Sequence, residues 1–193
     1  MGPPGGFKGV QIAMWVTLLL AIVFMIVAAA VPQWYVKSYR TYGLWKKCYI
    51  YTGGYSAKSI CRAYSTSSLA ASSLSSARGF STLAIILALV GMLFAGAIEL
   101  MTNKLSLLRV PRFFFGIAGG FTAISALSFV AWVHIEDDFY GNYSYGASFG
   151  LAWVAVFLSV AATAFAHLHH RALAFEAIQS IQAIQGQTPA KPV

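Results

Sequence analysis

The sequence predicts an all-α membrane protein, a four-helix transmembrane bundle, with a small extracellular β-sheet. Three observations carry that reading. Of the 193 residues 59% are hydrophobic and 9% charged, where a soluble domain has about 25% charged residues. The apolar residues gather into four runs of membrane-crossing length. Between the first two runs lies a polar segment rich in strand-forming residues that holds both cysteines.

The four runs cover residues 10–31, 79–101, 113–133 and 146–166. A helix rising 1.5 Å per residue needs roughly 20 residues to cross a ~30 Å hydrocarbon core, so each run spans once. None alternates with period two, which excludes a β-barrel. The whole chain, 1–193, then reads as a single four-span domain with loops at 32–78 and 134–145 and a tail at 167–193. For the first run a cleaved secretory signal is the rival reading, since Lys8 precedes it and Ala28-Ala29-Ala30 offers an A-x-A site. Its length and the closeness of Pro32 favour an uncleaved anchor.

Lys/Arg bias does not orient the spans. Lys8, Lys104, Arg109, Arg112, Arg171 and Lys191 lie on the side of the termini; Lys37, Arg40, Lys46, Lys47, Lys58, Arg62 and Arg78 lie on the other. Covalent chemistry is more informative. Cys48 and Cys61 share one polar segment, which suits a disulfide in an oxidising compartment. Asn142-Tyr143-Ser144 is a glycosylation sequon in the second loop, although it stands close to span four. Both features place the two loops outside and both termini in the cytoplasm.

In the first loop Trp34, Tyr35, Val36, Tyr39, Tyr42, Trp45, Tyr49, Ile50, Tyr51 and Tyr55 favour strands, and Gly53-Gly54 signals a hairpin turn. A Cys48–Cys61 bridge would staple the strands flanking that turn. Residues 139–145 of the second loop can add a strand. Trp34 and Trp45 fit the membrane face of this sheet, where an amphipathic ring bridges water and lipid. The Ser/Ala-rich stretch 64–77 reads as a loop or an extension of span two.

The pattern Trp34, Gly43-Leu44-Trp45, Cys48, Cys61 and then Arg78 resembles the claudin and peripheral myelin protein/epithelial membrane protein superfamily. "GGFTAISALSFVAW" (119–132) is similar to a claudin third span, "DFYGN" (138–142) to a claudin second extracellular loop, and "YSYGASFGLAW" (143–153) to the entry to span four in epithelial membrane and calcium-channel γ proteins. The resemblance implies a left-handed bundle capped by an extracellular antiparallel sheet. It also implies a structural role at the plasma membrane, in cell–cell contact or a paracellular barrier. The alternative it offers is an auxiliary subunit of an ion channel or receptor.

Residues 33–78 carry seven Lys/Arg and no Asp/Glu. Such a surface attracts anions and repels cations. In claudins first-loop charge sets the ion preference of the paracellular path, so Lys37, Arg40, Lys46, Lys47, Lys58 and Arg62 are the candidates for ion selectivity or partner binding. Acidic glycans, lipid headgroups or an acidic partner loop are the plainer ligands for the same patch. Glu136-Asp137-Asp138 is a solvated acidic counterpart in the second loop.

Gly116, Gly119 and Gly120 in span three allow close helix approach, with Ala28–Ala30 of span one and Gly91, Ala95 and Gly96 of span two as facing surfaces. Self-association is the sharper use of the same glycines. Glu99 snorkels to an interface, and His167, His169, His170 and Arg171 form a cationic collar where span four exits. Beyond that collar, apolar positions at helical spacing over 172–185 either prolong span four or lie on the membrane surface. No P-loop, nucleophile elbow, metalloprotease motif or paired intrabundle carboxylates occur, so neither an enzyme, a metal site nor a cofactor is expected. The partners expected are membrane lipid, further copies or claudin-like neighbours, or a larger channel subunit, and not nucleic acid.

Overall fold

The computed structural model describes residues 6–53, 56–64, 71–100, 109–136 and 143–186. In lipid a spanning segment must satisfy its backbone internally, and each apolar run does so as a helix. These are α1 (Gly6–Ala30), α2 (Ala71–Leu100), α3 (Arg109–Glu136) and α4 (Ala147–Gly186). Pro32 ends α1, because its ring disfavours helical geometry in the residue before it. Residues 71–78 all extend span two rather than lie in a loop, so Arg78 stands inside α2. The apolar stretch after the histidine collar continues α4, which runs unbroken for 40 residues.

The helices form a ring. α2 packs on α3, α3 on α4, α4 on α1, and α1 more lightly on α2. Met14, Leu18, Ile22 and Met25 of α1 face Ala84, Ala88, Phe115, Ala118, Ala155 and Ala162 across the bundle core. The alanines let the backbones approach, which in lipid takes over from the hydrophobic effect as the source of packing energy. Only 28–39% of each span's most apolar window is buried inside the chain. Leu19, Leu93, Phe113, Leu127 and Phe157 point outward, a surface that water would not tolerate and acyl chains cover.

Five strands form one antiparallel sheet in the order β4-β3-β2-β1-β5. They are β1 (Tyr35–Lys37), β2 (Arg40–Tyr42), β3 (Lys46–Gly53), β4 (Ser56–Ala63) and β5 (Tyr143–Tyr145). The second loop thus supplies an edge strand, Tyr143–Tyr145, on β1. β1 and β2 are joined by Ser38 and Tyr39, and Ser38 takes φ 51°, a left-handed conformation that costs a residue with a Cβ on the order of 1 kcal/mol. Cys48 and Cys61 stand opposite each other in the β3–β4 ladder and are disulfide-bonded. The turn glycine Gly54, the acids Asp137 and Asp138, and the sequon's Asn142 lie outside the described residues.

Candidate functional site

The sheet joins the bundle through an aromatic cluster built around Trp34. Expected at the lipid–water boundary, Trp34 is instead 1% exposed. Its ring meets Phe129 of α3 at 5.0 Å and Phe149 of α4 at 6.0 Å. Its indole N–H donates to the Ala28 carbonyl at 2.5 Å, occupying one of the acceptors left free where α1 ends. Burial of so large a ring is possible because its one polar group has a partner. Trp45 does reach the surface, at 46% exposure. The two tryptophans therefore do different work: one locks the sheet to three helices, the other borders an open groove.

Backbone contacts complete the joint. The Gly146 and Ser148 amides at the start of α4 donate to the Trp34 and Gln33 carbonyls at 3.0 and 3.1 Å. A Cβ at Gly146 would sit 2.1 Å from the Gln33 oxygen, so only glycine fits. The Ser148 hydroxyl donates to the Val31 carbonyl at 3.1 Å, and the fully buried Ser125 hydroxyl of α3 donates to the Ala77 carbonyl of α2 at 2.7 Å.

Gly43, Leu44 and Trp45 form the turn between β2 and β3. A Cβ on Gly43 would meet the Pro32 Cα at 2.5 Å. Leu44 is 0% exposed. Arg78 reaches up from α2 and donates through Nε to the Leu44 carbonyl at 2.5 Å. Its guanidinium lies over the Trp45 ring at 5.6 Å and the Tyr64 ring at 5.2 Å. The Tyr64 hydroxyl donates to the Gly43 carbonyl at 2.9 Å. Sequence reasoning missed Tyr64, Ser125, Gly146 and Ser148. Ser125, Gly146 and Ser148 sit inside motifs already singled out, but their contacts span 48 to 117 residues of chain and no local pattern marks them.

The sheet carries the candidate charges in ordered rows. Directly opposed residues share a face. One row runs Tyr145, Tyr35, Tyr42, Lys47, Arg62 across β5, β1, β2, β3 and β4; the next positions are Tyr143, Lys37, Arg40, Tyr49 and Ile60; a third pairs Tyr51 with the Lys58 position. The aromatic end of the first row packs on Trp132 of α3 through Tyr42. Lys37, Arg40, Lys47 and Arg62 therefore share one face, whereas Lys46 belongs to the other with Cys48. Arg40 lies over the Tyr49 ring at 5.2 Å and Lys47 at 6.0 Å, contacts worth about 0.5–1 kcal/mol each at exposed sites. Lys47 directly opposite Arg62 works against pairing by roughly 0.2–1 kcal/mol. The adjacent Cys48–Cys61 bridge holds the strands together regardless.

The three glycines of α3 differ in place. A Cβ on Gly119 would lie 2.9 Å from the Ser159 Cβ of α4; one on Gly116 would be 3.8 Å from Thr163, also of α4; one on Gly120 would meet nothing within 4 Å. The neighbour of Gly116 and Gly119 is α4, not the small residues of α1 and α2 expected from the sequence. Gly91 of α2 instead faces Phe114 and Phe115. Of the collar, His167 bonds Arg112, His169 is buried and Arg171 is exposed. Among the described residues no three His, Cys, Asp or Glu side chains gather as metal ligands.

The family model described as PMP-22/EMP/MP20/Claudin matches residues 8–165, a stretch that takes in the first three spans, most of the fourth and the sheet. No curated protein matches the chain.

Proposed function

The chain belongs to the PMP-22/EMP/MP20/Claudin family of structural multi-pass membrane proteins, and from that premise we propose that it is a plasma-membrane protein of cell–cell contacts. Its sheet faces the extracellular space and forms a paracellular barrier or a path that favours anions. The observation that carries the reading is the shared face of Lys37, Arg40, Lys47 and Arg62, on a segment, 33–78, with no acid to offset it. A one-sign surface of this kind raises the local anion concentration and excludes cations. Copies associate through the sheet edges, since among the described residues β4 and β5 are the outermost strands.

The register designs the test. Reversal of Lys47 and Arg62 to Glu together changes one face; reversal of Lys46 alone changes the other. In epithelial monolayers expressing each variant, the double reversal is expected to move the chloride-to-sodium permeability ratio toward sodium by several-fold, with Lys46→Glu close to wild type. Unchanged permselectivity in the double variant sinks the ion-path reading. The second reading, an auxiliary subunit of a channel or receptor, gains if the protein stains the surface evenly and co-purifies with a large channel in mild detergent.

A further inference from the structure

We propose that the groove between α3 and α4, at the end of the bundle away from the sheet, binds an anionic phospholipid. The groove has a volume of 630 Å³, within the range that holds a ligand. It exists because Gly116 and Ala164 present almost no side chain between the larger Phe113, Ile117 and Val160. Phe113 and Val160 are exposed, so the groove opens toward the surrounding bilayer. An acyl chain fits its apolar floor.

Arg112 and His167 stand at one end, 55 residues apart in sequence, with the Arg112 Nη1 donating to the His167 Nδ1 at 2.5 Å. An arginine has donors only, so the imidazole is the acceptor there, and it brings no negative charge to the guanidinium. In the sequence no acid occurs between Glu99 and Glu136, the stretch that holds Arg112, or between Asp138 and Glu176, the stretch that holds His167. An arginine held by an acceptor without negative charge keeps N–H donors in a planar fork that suits phosphate. Its depth fits as well. Arg112 lies in the first turn of the apolar span 111–135, and His167 is about 20 residues, or ~30 Å of helix, into the span that starts at 147. That is where a bilayer ends and its headgroups begin. Basic pockets between spanning helices are recognised sites for anionic headgroups, and charge selects a phospholipid here over a second copy of the chain, which would bring another Arg112.

The test is native mass spectrometry of the full-length protein, delipidated in a non-ionic detergent and titrated with dioleoyl phosphatidylserine or dioleoyl phosphatidylcholine. One phosphatidylserine is expected to be retained in preference to phosphatidylcholine. Arg112→Gln should weaken its retention about fivefold, the effect of one cation at a membrane surface. Val160→Trp, on the lipid-facing surface, should weaken it by filling the groove with Arg112 in place. Arg171→Gln should leave it unchanged. Equal retention of the two lipids, wild-type retention by Arg112→Gln, equal losses in Arg112→Gln and Arg171→Gln, or a second protein copy displacing the lipid would each overturn the proposal. None of these readouts depends on a paracellular role.

Discussion

At the scale of single residues, Arg78 shows how one charge is made useful beside a membrane. It enters the end of α2 beside the sheet, where an unpaired cation is costly. One N–H meets the Leu44 carbonyl, and two aromatic rings flank the guanidinium plane. A lysine has a charge in nearly the same place but neither the planar fork nor the stacking face. Arg78→Gln should lower stability by about 1.5–3 kcal/mol, the range for hydrogen bonds to charged groups. Arg78→Lys should recover less than half of that loss. Thermal unfolding in detergent reads both, and a lysine variant as stable as wild type would show that charge alone was needed.

At the scale of elements, two pairings set the architecture. The first is α3 on α4. Gly119 meets Ser159 so closely that even one methyl group forces a shift, whereas Gly120 points into open space. Gly119→Ala should cost roughly 1–3 kcal/mol through overpacking. Gly120→Ala should be neutral or slightly stabilising, as a helix-interior glycine gives way to the best helix former. Equal melting temperatures for the two would mean that α3 and α4 are less closely seated than described. The second pairing is β3 with β4, closed by a bridge across a separation of 13 residues. By the chain-entropy model the bridge contributes about 3 kcal/mol, on a hairpin that alone is marginal in water. Cys48→Ser with Cys61→Ser should therefore expose residues 46–63 to protease while the helical circular dichroism stays near wild type. Loss of helical signal in step with the cleavage would tie the bundle's stability to the sheet.

At the scale of the whole molecule, helix length decides where the working surfaces lie. At 1.5 Å per residue α2 and α3, of 30 and 28 residues, are about 45 and 42 Å long against a hydrocarbon core of ~30 Å. The excess raises the joint that carries the sheet. α4, of 40 residues, is about 60 Å long and projects beyond the opposite end. With Cys48 and Cys61 bridged, an introduced cysteine is the single reactive thiol. On intact cells an impermeant maleimide should label Ser38→Cys and should reach Arg171→Cys only after permeabilisation. The reverse pattern would put the sheet in the cytosol and remove the proposed role.

Much of this was legible in the chain. Twenty consecutive apolar residues have one stable state in lipid, so the number of spans followed from composition alone. Strand propensity, the Cys48–Cys61 pair and the second-loop aromatics announced the sheet, its staple and its fifth strand, because each signal is local. Tertiary packing decided the rest. Two tryptophans of like sequence context part company because the three helices that enclose Trp34 meet only in the folded bundle. Lys46 and Lys47 are neighbours in sequence yet lie on opposite faces, and only the register selects which joins Arg62. Gly119 and Gly120 differ because a rotation of about 100° per residue turns one toward α4 and the other away. Arg112 and His167 come together for the same reason: sequence determines which segments are helices, but the facing of those helices is set by contacts between residues far apart along the chain.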